Sequence, residues 1–164
     1  MSYPPRDAQA ADLDALAHLW WSGWRDAHLD LVPEALAKLR TQDSFRDRLS
    51  AALPRVRTLG PVGAPLGFHL IKDDELYQFY VAAQARGTGA AATLMADAEA
   101  SLLAQGIETP WLACAIGNAR AARFYEKSGW ALARVECVPT ETSAGLFPLD
   151  VWRYEKRLSP PPRR

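Results

Sequence analysis

Cysteine, methionine and histidine are scarce in this 164-residue chain, with two, two and three copies. Two cysteines, Cys114 and Cys137, cannot build the disulfide lattice of a small secreted domain, and read as thiols of a reducing compartment. No His/Cys/Asp/Glu grouping has metal-ligand spacing, so no metal is expected. Charge of one sign is also missing: Lys plus Arg number 19 and Asp plus Glu number 19. Without a basic excess, neither a nucleic-acid partner nor an anionic membrane surface is expected. No apolar run approaches a membrane span, and the opening "MSYPPRDAQAADLD" holds no apolar leader core. A cytoplasmic protein is the expectation.

What remains is ordinary globular material, 49% hydrophobic and 23% charged. The length suits one domain spanning 1–164, with 158–164 ("LSPPPRR") expected as a loose tail. Leu13, Leu16, Ala17, Trp20, Trp24, Ala27 and Leu31 recur at three or four residues, a helical period with Asp12 placed to cap it. "LVPEALAKLR" starts a second helix with Pro33 in its first turn. Phe45, Leu49 and Leu53 mark a third, ended by Pro54.

The texture changes at Val56. "VRTL", "LGFHLIK" and "ELYQFYVA" have strand length and composition, the last two separated by a turn at Asp73-Asp74. A long helix follows from Thr88 to Gln105. "WLACAI" is a buried-type strand, and "NARAARFYEKSG" a helix stopped by Gly129. "WALARVECV" is a strand, 139–146 a loop, and "LFPLDVWRYEKRL" contains the last strand. The order ααα-βββ-α-β-α-ββ describes a mixed α/β domain whose sheet begins antiparallel and ends with helices between strands.

"QARGTGAAATL", residues 84–94, sits between a strand and a long helix. Backbone N–H groups and the positive end of a helix dipole converge there, as a phosphate site requires. A nucleotide-hydrolysing loop needs Lys and Ser/Thr after the second glycine, where this chain has alanines. A dinucleotide turn formally fits Gly87 to Ala92. Yet five residues separate the glycines from the strand, and "WLACAIGN" ends without the acidic ribose partner.

Gln84-Ala85-Arg86-Gly87-Thr88-Gly89 resembles the Q/R-x-x-G-x-G/A acyl-coenzyme A loop of the Gcn5-related N-acetyltransferase superfamily. Val81 to Gly89 match its frequent V-x-P-x-x-R-G-x-G form, except that Ala83 replaces proline. "NARAARFYEKSGW" resembles the family segment N-x-x-A-x-x-F-Y-x-x-x-G-F, with Asn118, Ala121, Phe124, Tyr125 and Gly129 in register and Trp130 in place of phenylalanine. The likeness covers about residues 55–157 by element order. It implies a GNAT-like fold: a mixed central sheet, antiparallel at its N-terminal part, with splayed parallel strands and flanking helices.

The resemblance also implies an acyltransferase that moves acetyl from acetyl-coenzyme A directly to a primary amine of a small molecule or peptide. A protein N-terminus or lysine is the alternative acceptor, and a non-catalytic acyl-coenzyme A sensor the alternative activity. Backbone N–H groups from Arg86 through Gly87, Thr88, Gly89, Ala90 and Ala91 would surround the pyrophosphate, because glycine lets the backbone approach without a Cβ. Thr88 would add a hydroxyl donor. The Arg86 side chain either adds charge or is simply solvated. Backbone groups of Phe79, Tyr80 and Val81 would pair with the pantetheine arm, and Asn118 would cap its helix and reach the same arm.

A phenol titrates near ~10 and a thiol near ~8.5, so Tyr125 stays protonated at neutral pH and can donate to the departing thiolate; otherwise it only packs behind Phe124. Glu75 shares a strand face by alternation with Tyr77, Phe79 and Val81. It is either the base that takes the amine's proton or an exposed strand-start residue. Trp24 and His28 lie on one stripe of the first helix and, by the family likeness, wall the acceptor pocket; the plainer alternative is core. His69 and Cys114 read as packing. A homodimer through the last strands is a further expectation.

Overall fold

The computed structural model describes residues 2–160. Strands β1 (Arg6–Asp7), β2 (Val56–Leu59), β3 (Gly67–Lys72), β4 (Glu75–Val81), β5 (Trp111–Ala115), β6 (Ala131–Thr142) and β7 (Gly145–Glu155) form one sheet in the order β1-β2-β3-β4-β5-β7-β6. Every neighbouring pair is antiparallel except β4 and β5. Helices α1 (Leu13–His28), α2 (Glu34–Ala37) and α3 (Gln42–Ala52) precede β2; α4 (Ala90–Ala104) and α5 (Ala119–Lys127) flank β5 in sequence. The expected mixed sheet is present, antiparallel at its start and splayed at one parallel pair.

Two cores hold the layers together. On one, the α1 stripe buries Leu16, Trp20 and Trp24 against Phe45 and Leu49 of α3 and Phe68 of β3. The Trp20 and Phe45 rings lie 4.5 Å apart. On the other, Met95, Ala98 and Leu102 of α4 and Ala122 and Tyr125 of α5 pack on Leu76, Leu112 and Tyr154. Burying each large apolar side chain contributes about 2 kcal/mol, enough to fix which helix face meets the sheet.

Asp12 does not cap α1 through its side chain. Its carboxylate receives Arg6 at 2.8 Å and the N–H groups of Gln9 and Gly63 at 2.8 and 2.9 Å. It thereby closes the short 3-10 turn ahead of α1 and ties three segments together. Pro33 stands at the N-cap of α2, one place before the first turn. Helix α4 starts at Ala90 rather than Thr88, because Gly87 and Gly89 take the left-handed region at φ +76 and +87.

Residues 139–146 are not a loop. Strand β6 runs to Thr142 and β7 begins at Gly145, leaving a two-residue turn. The Thr142 hydroxyl receives the Ala144 N–H at 3.1 Å, and Gly145 turns at φ +102. Pro139 and Pro148, which argue against a strand, face each other across the hairpin. With no N–H on either, they occupy a non-hydrogen-bonded pair, where none is needed.

The alternation expected for β4 is also broken. Leu70 pairs with Gln78, but Ile71 pairs with Leu76, so Tyr77 bulges out of the ladder. One extra residue changes the side to which everything beyond it points. Phe79 therefore packs with Phe124 in the α4–α5 core, while Tyr80 packs beside Trp20. Glu75 lies on the Trp20 side, opposite Phe79 rather than sharing its face. At the chain's end, Leu158 is buried and donates its N–H to Glu108 at 2.7 Å, so the expected tail is anchored at its first residue. Residues 161–164 lie outside the described ones.

Candidate active site

Strands β4 and β5 are paired only at Glu75–Trp111 and then part. Beyond that point the β5-facing edge of β4 lacks a neighbour. The Ala82 N–H donates to Leu66 at 2.8 Å, on the β3 side. Strand alternation then sends the backbone groups of Phe79 and Val81 into the gap and those of Tyr80 back toward β3. A Cβ at Gly67 would stand 2.8 Å from the Tyr80 carbonyl oxygen, which fixes the same orientation. The backbone of Tyr80 is thus spent on the sheet; its side chain is what reaches the gap.

A cleft of about 760 Å3 occupies the splay. Phe79, Val81, Arg86, Gly87, Gly89, Ala91, Asn118 and Tyr125 line it, with Tyr80 and His28 at its inner end. Apart from their chain neighbours, no atom of the described residues lies within 4 Å of where a Cβ would stand on Gly87 or Gly89. Gly89 is the N-cap of α4 and has no side chain with which to cap that helix. The amides of its first turn are therefore available to a ligand, at the positive end of the dipole. Ala90 is the exception, donating to the Thr88 hydroxyl at 3.3 Å. That hydroxyl itself donates to the Ala85 carbonyl, so Thr88 closes the loop instead of offering a free donor as expected.

The cleft rim is charged. Arg86 and Arg120 approach Asp26 at 3.4 and 3.5 Å, and Arg123 lines the same wall. Sequence reasoning missed Arg120 and Arg123, which stand three residues apart and so share a face of α5. Asn118 caps α5, accepting the Ala121 N–H at 3.3 Å.

Tyr125 sits against Phe79 edge-on at 6.5 Å and beside Phe124 at 5.8 Å. The Tyr154 hydroxyl is committed to Glu126 at 3.0 Å; that of Tyr125 has no such partner among the described residues. Burial, reinforced by Cys114 and Tyr80, holds the Tyr125 phenol well above its ordinary value, so it stays protonated. Burial also pushes the Cys114 thiol up to about 12. Cys114 is a neutral packing thiol at the cleft floor, not a thiolate.

A second cavity of about 160 Å3 opens on the opposite side of β4. It holds Trp24 and Glu75, with His28, Tyr77, Gln78, Tyr80, Ala113 and Ala115 belonging to both spaces. Burial raises the Glu75 carboxyl to about 7, against the pull of Lys72. Burial lowers His28 to about 4, so the ring is neutral at pH 7. Its Nδ1 lies 3.1 Å from the Trp24 carbonyl. A carbonyl only accepts, so the proton sits on Nδ1 and Nε2 keeps its lone pair. His69 is elsewhere, buried and paired with Asp97 at 2.8 Å. Arg40 and Arg48 also line the second cavity, and nothing in the sequence announced them.

A splayed parallel strand pair with an uncapped helix N-terminus in its mouth defines an acyltransferase of the Gcn5 type. The Acetyltransferase (GNAT) family matches residues 13–130, most of the chain, and the protein belongs to that family. Among solved structures, a GCN5-related N-acetyltransferase from Rhodopseudomonas palustris is similar at 22% identity and a TM-score of 0.72, over 96% of this chain and 98% of that one. The paiA N-acetyltransferase from Thermoplasma acidophilum, in complex with coenzyme A, is similar at 19% identity and 0.67, over 96% and 100%. A ribosomal-protein-alanine N-acetyltransferase from Brucella melitensis is similar at 18% and 0.69, over 94% and 99%. A comparison with curated protein sequences found no match. Among the described residues, no helix is long and apolar enough to cross a membrane, and no group of side chains could hold a metal ion.

Proposed function

We propose that this acyltransferase moves acetyl from acetyl-coenzyme A directly to a primary amine of a small molecule. The supporting observation is the meeting of two cavities at the β4–β5 gap, one carrying Tyr125 and the other Glu75. The larger cleft suits the donor. Backbone amides of Gly87, Gly89, Ala91 and Ala92 receive the pyrophosphate, with Arg86, Arg120 and Arg123 as cationic rim. Phe79 and Val81 pair with the amide-rich pantetheine as a further strand would. Fold relatives include a protein solved with coenzyme A, which fits that assignment.

The thioester then lies at the gap, where the Val81 N–H polarises its carbonyl. The amine enters from the second cavity, past His28 and Tyr80, and its lone pair attacks the carbonyl carbon. As the C–S bond breaks, the sulfur takes the Tyr125 proton. The nitrogen's surplus proton passes to the Glu75 carboxylate, directly or through water. A base near pH 7 is well matched to this task. A protein N-terminus is the rival acceptor, suggested by the Brucella relative's name; the second cavity, about 160 Å3 and walled by the β6–β7 hairpin, favours a small molecule.

Two further expectations join this proposal. Free Cys114 and Cys137 fit a cytoplasmic setting, and the open edge of β6, with Leu132 and Val135 exposed, fits a homodimer.

Thiol release with a panel of amines tests the activity. Tyr125→Phe is expected to bind acetyl-coenzyme A normally and lose kcat about 100-fold or more. Unchanged kcat would remove Tyr125 from the chemistry, and no thiol release with any amine would refute the transfer itself.

A further inference from the structure

The second cavity contains charge that acetyl transfer itself does not need. Arg40, 5% exposed, lies against Phe45 with its guanidinium carbon 5.8 Å from the ring centroid. Its Nη1 donates to the Glu141 carbonyl at 2.6 Å, and its Nε has no partner among the described residues. Arg48 stacks over Trp20 at 4.5 Å and donates to the Tyr77 hydroxyl at 2.8 Å. Neither guanidinium has a carboxylate partner among the described ion pairs.

The nearby acids do not fill that role. The Glu141 carboxylate is held by Lys72. Glu75 supplies at most one further negative charge, against Arg40, Arg48 and Lys72 on the same walls. Burial beside Arg48 pulls Arg40 down to about 10, which still leaves it charged at neutral pH. A buried guanidinium, Arg40, beside a half-buried one, Arg48, with neither paired to a carboxylate among the described ion pairs, is costly, and an anion delivered by a ligand relieves that cost. Guanidinium forks match a carboxylate in two-point geometry. Val138, Leu149 and Trp24 give the cavity an apolar stretch beside Gln78 and Thr140, with room for a short carbon frame.

We propose that the acceptor is an amino acid: an amine that also carries a carboxylate, which Arg40 and Arg48 hold within the second cavity while the amine faces the β4–β5 gap. This rests on the acetyl-transfer assignment and names the substrate class of the same site. The cations also select against polyamines, which bring only positive charge to a positive pocket.

The test compares the common L-amino acids, their carboxamides, their decarboxylated amines and their aminophosphonate analogues as acceptors, by thiol release from acetyl-coenzyme A. At least one amino acid should be acetylated with kcat/KM about 30-fold or more above its carboxamide and its amine. Arg48→Met should remove that preference by raising KM for the amino acid, with acetyl-coenzyme A binding unchanged. Arg40→Lys, which keeps the charge and the fold's tie to Glu141, should retain part of it. Carboxamides or plain amines used as well as the acids would overturn the inference, as would a wild-type preference for phosphonates or for peptide N-termini. A preference that survives Arg48→Met and Arg40→Met would overturn it too. In all these results transfer persists, so only the acceptor class falls; absence of thiol release with every amine removes the acetyl-transfer assignment as well.

Discussion

The two sides of the β4–β5 gap are built from chain in different ways. The donor side draws mostly on two stretches, 76–92 and 113–125, with only Gly23 to His28 reaching in from α1. The acceptor side gathers Trp20 to Arg48, Lys72 to Tyr80, Ala113, Ala115 and Val138 to Val151. A backbone cradle needs particular residues at fixed short spacing, because glycine φ values and a helix start are local properties. A side-chain pocket needs only that distant segments arrive together, which no local spacing records.

Separate substitutions should therefore damage one side and spare the other, and on the acceptor side the largest effect belongs to the base. Glu75→Gln is expected to lower kcat about 100-fold with acetyl-coenzyme A affinity intact. The sign of its pH dependence follows from the raised carboxyl. Glu75 works only when ionised, so wild-type kcat/KM for the acceptor should climb as pH rises through about 7, and the variant should lose that limb. A variant that keeps the limb would return Glu75 to a structural role.

Gly89→Val attacks the donor side. At φ +87 a β-branched residue is strained, and its side chain fills the space above the cradle. KM for acetyl-coenzyme A should rise about 30-fold, with acceptor preference unchanged. Equal loss for both substrates would mean the two sides are not separable.

The smallest catalytic effect is expected where neither side is touched. Asp12→Ala leaves Arg6 and the Gly63 and Gln9 amides without their acceptor. Stability should fall by about 2 kcal/mol in denaturant titration, with kcat per folded molecule unchanged. The carboxyl is lowered from 3.8 to about 2 in the fold, so its contribution is complete above pH 4 and fades as pH falls toward 2. A changed kcat would tie this junction to the site.

The same contrast explains what the sequence could disclose. Order and type of the elements after β1 follow from periodicity, and the donor loop and the Asn118-to-Tyr125 helix from spacing; the two-residue β1 is too short to leave a period. The Tyr77 bulge was hidden, because "ELYQFYV" reads as clean alternation; only pairing with β3 reveals the extra residue. Read as alternation, that stretch puts Phe79 and Glu75 on one face, whereas the bulge separates them. The β6–β7 turn was hidden by two prolines that ordinarily break strands and here oppose each other. Arg40 meets Glu141 across 101 positions, so no local pattern could pair them.

Direct transfer across the gap is the central claim, and initial-rate kinetics with both substrates varied test it most directly. Taking the amine turned over fastest, double-reciprocal lines at several acetyl-coenzyme A concentrations should intersect, because both substrates must be bound before acetyl moves. Parallel lines would mean that the acetyl group rests on the protein between substrates, for which Cys114 at the cleft floor is the nearest thiol, and would contradict the account.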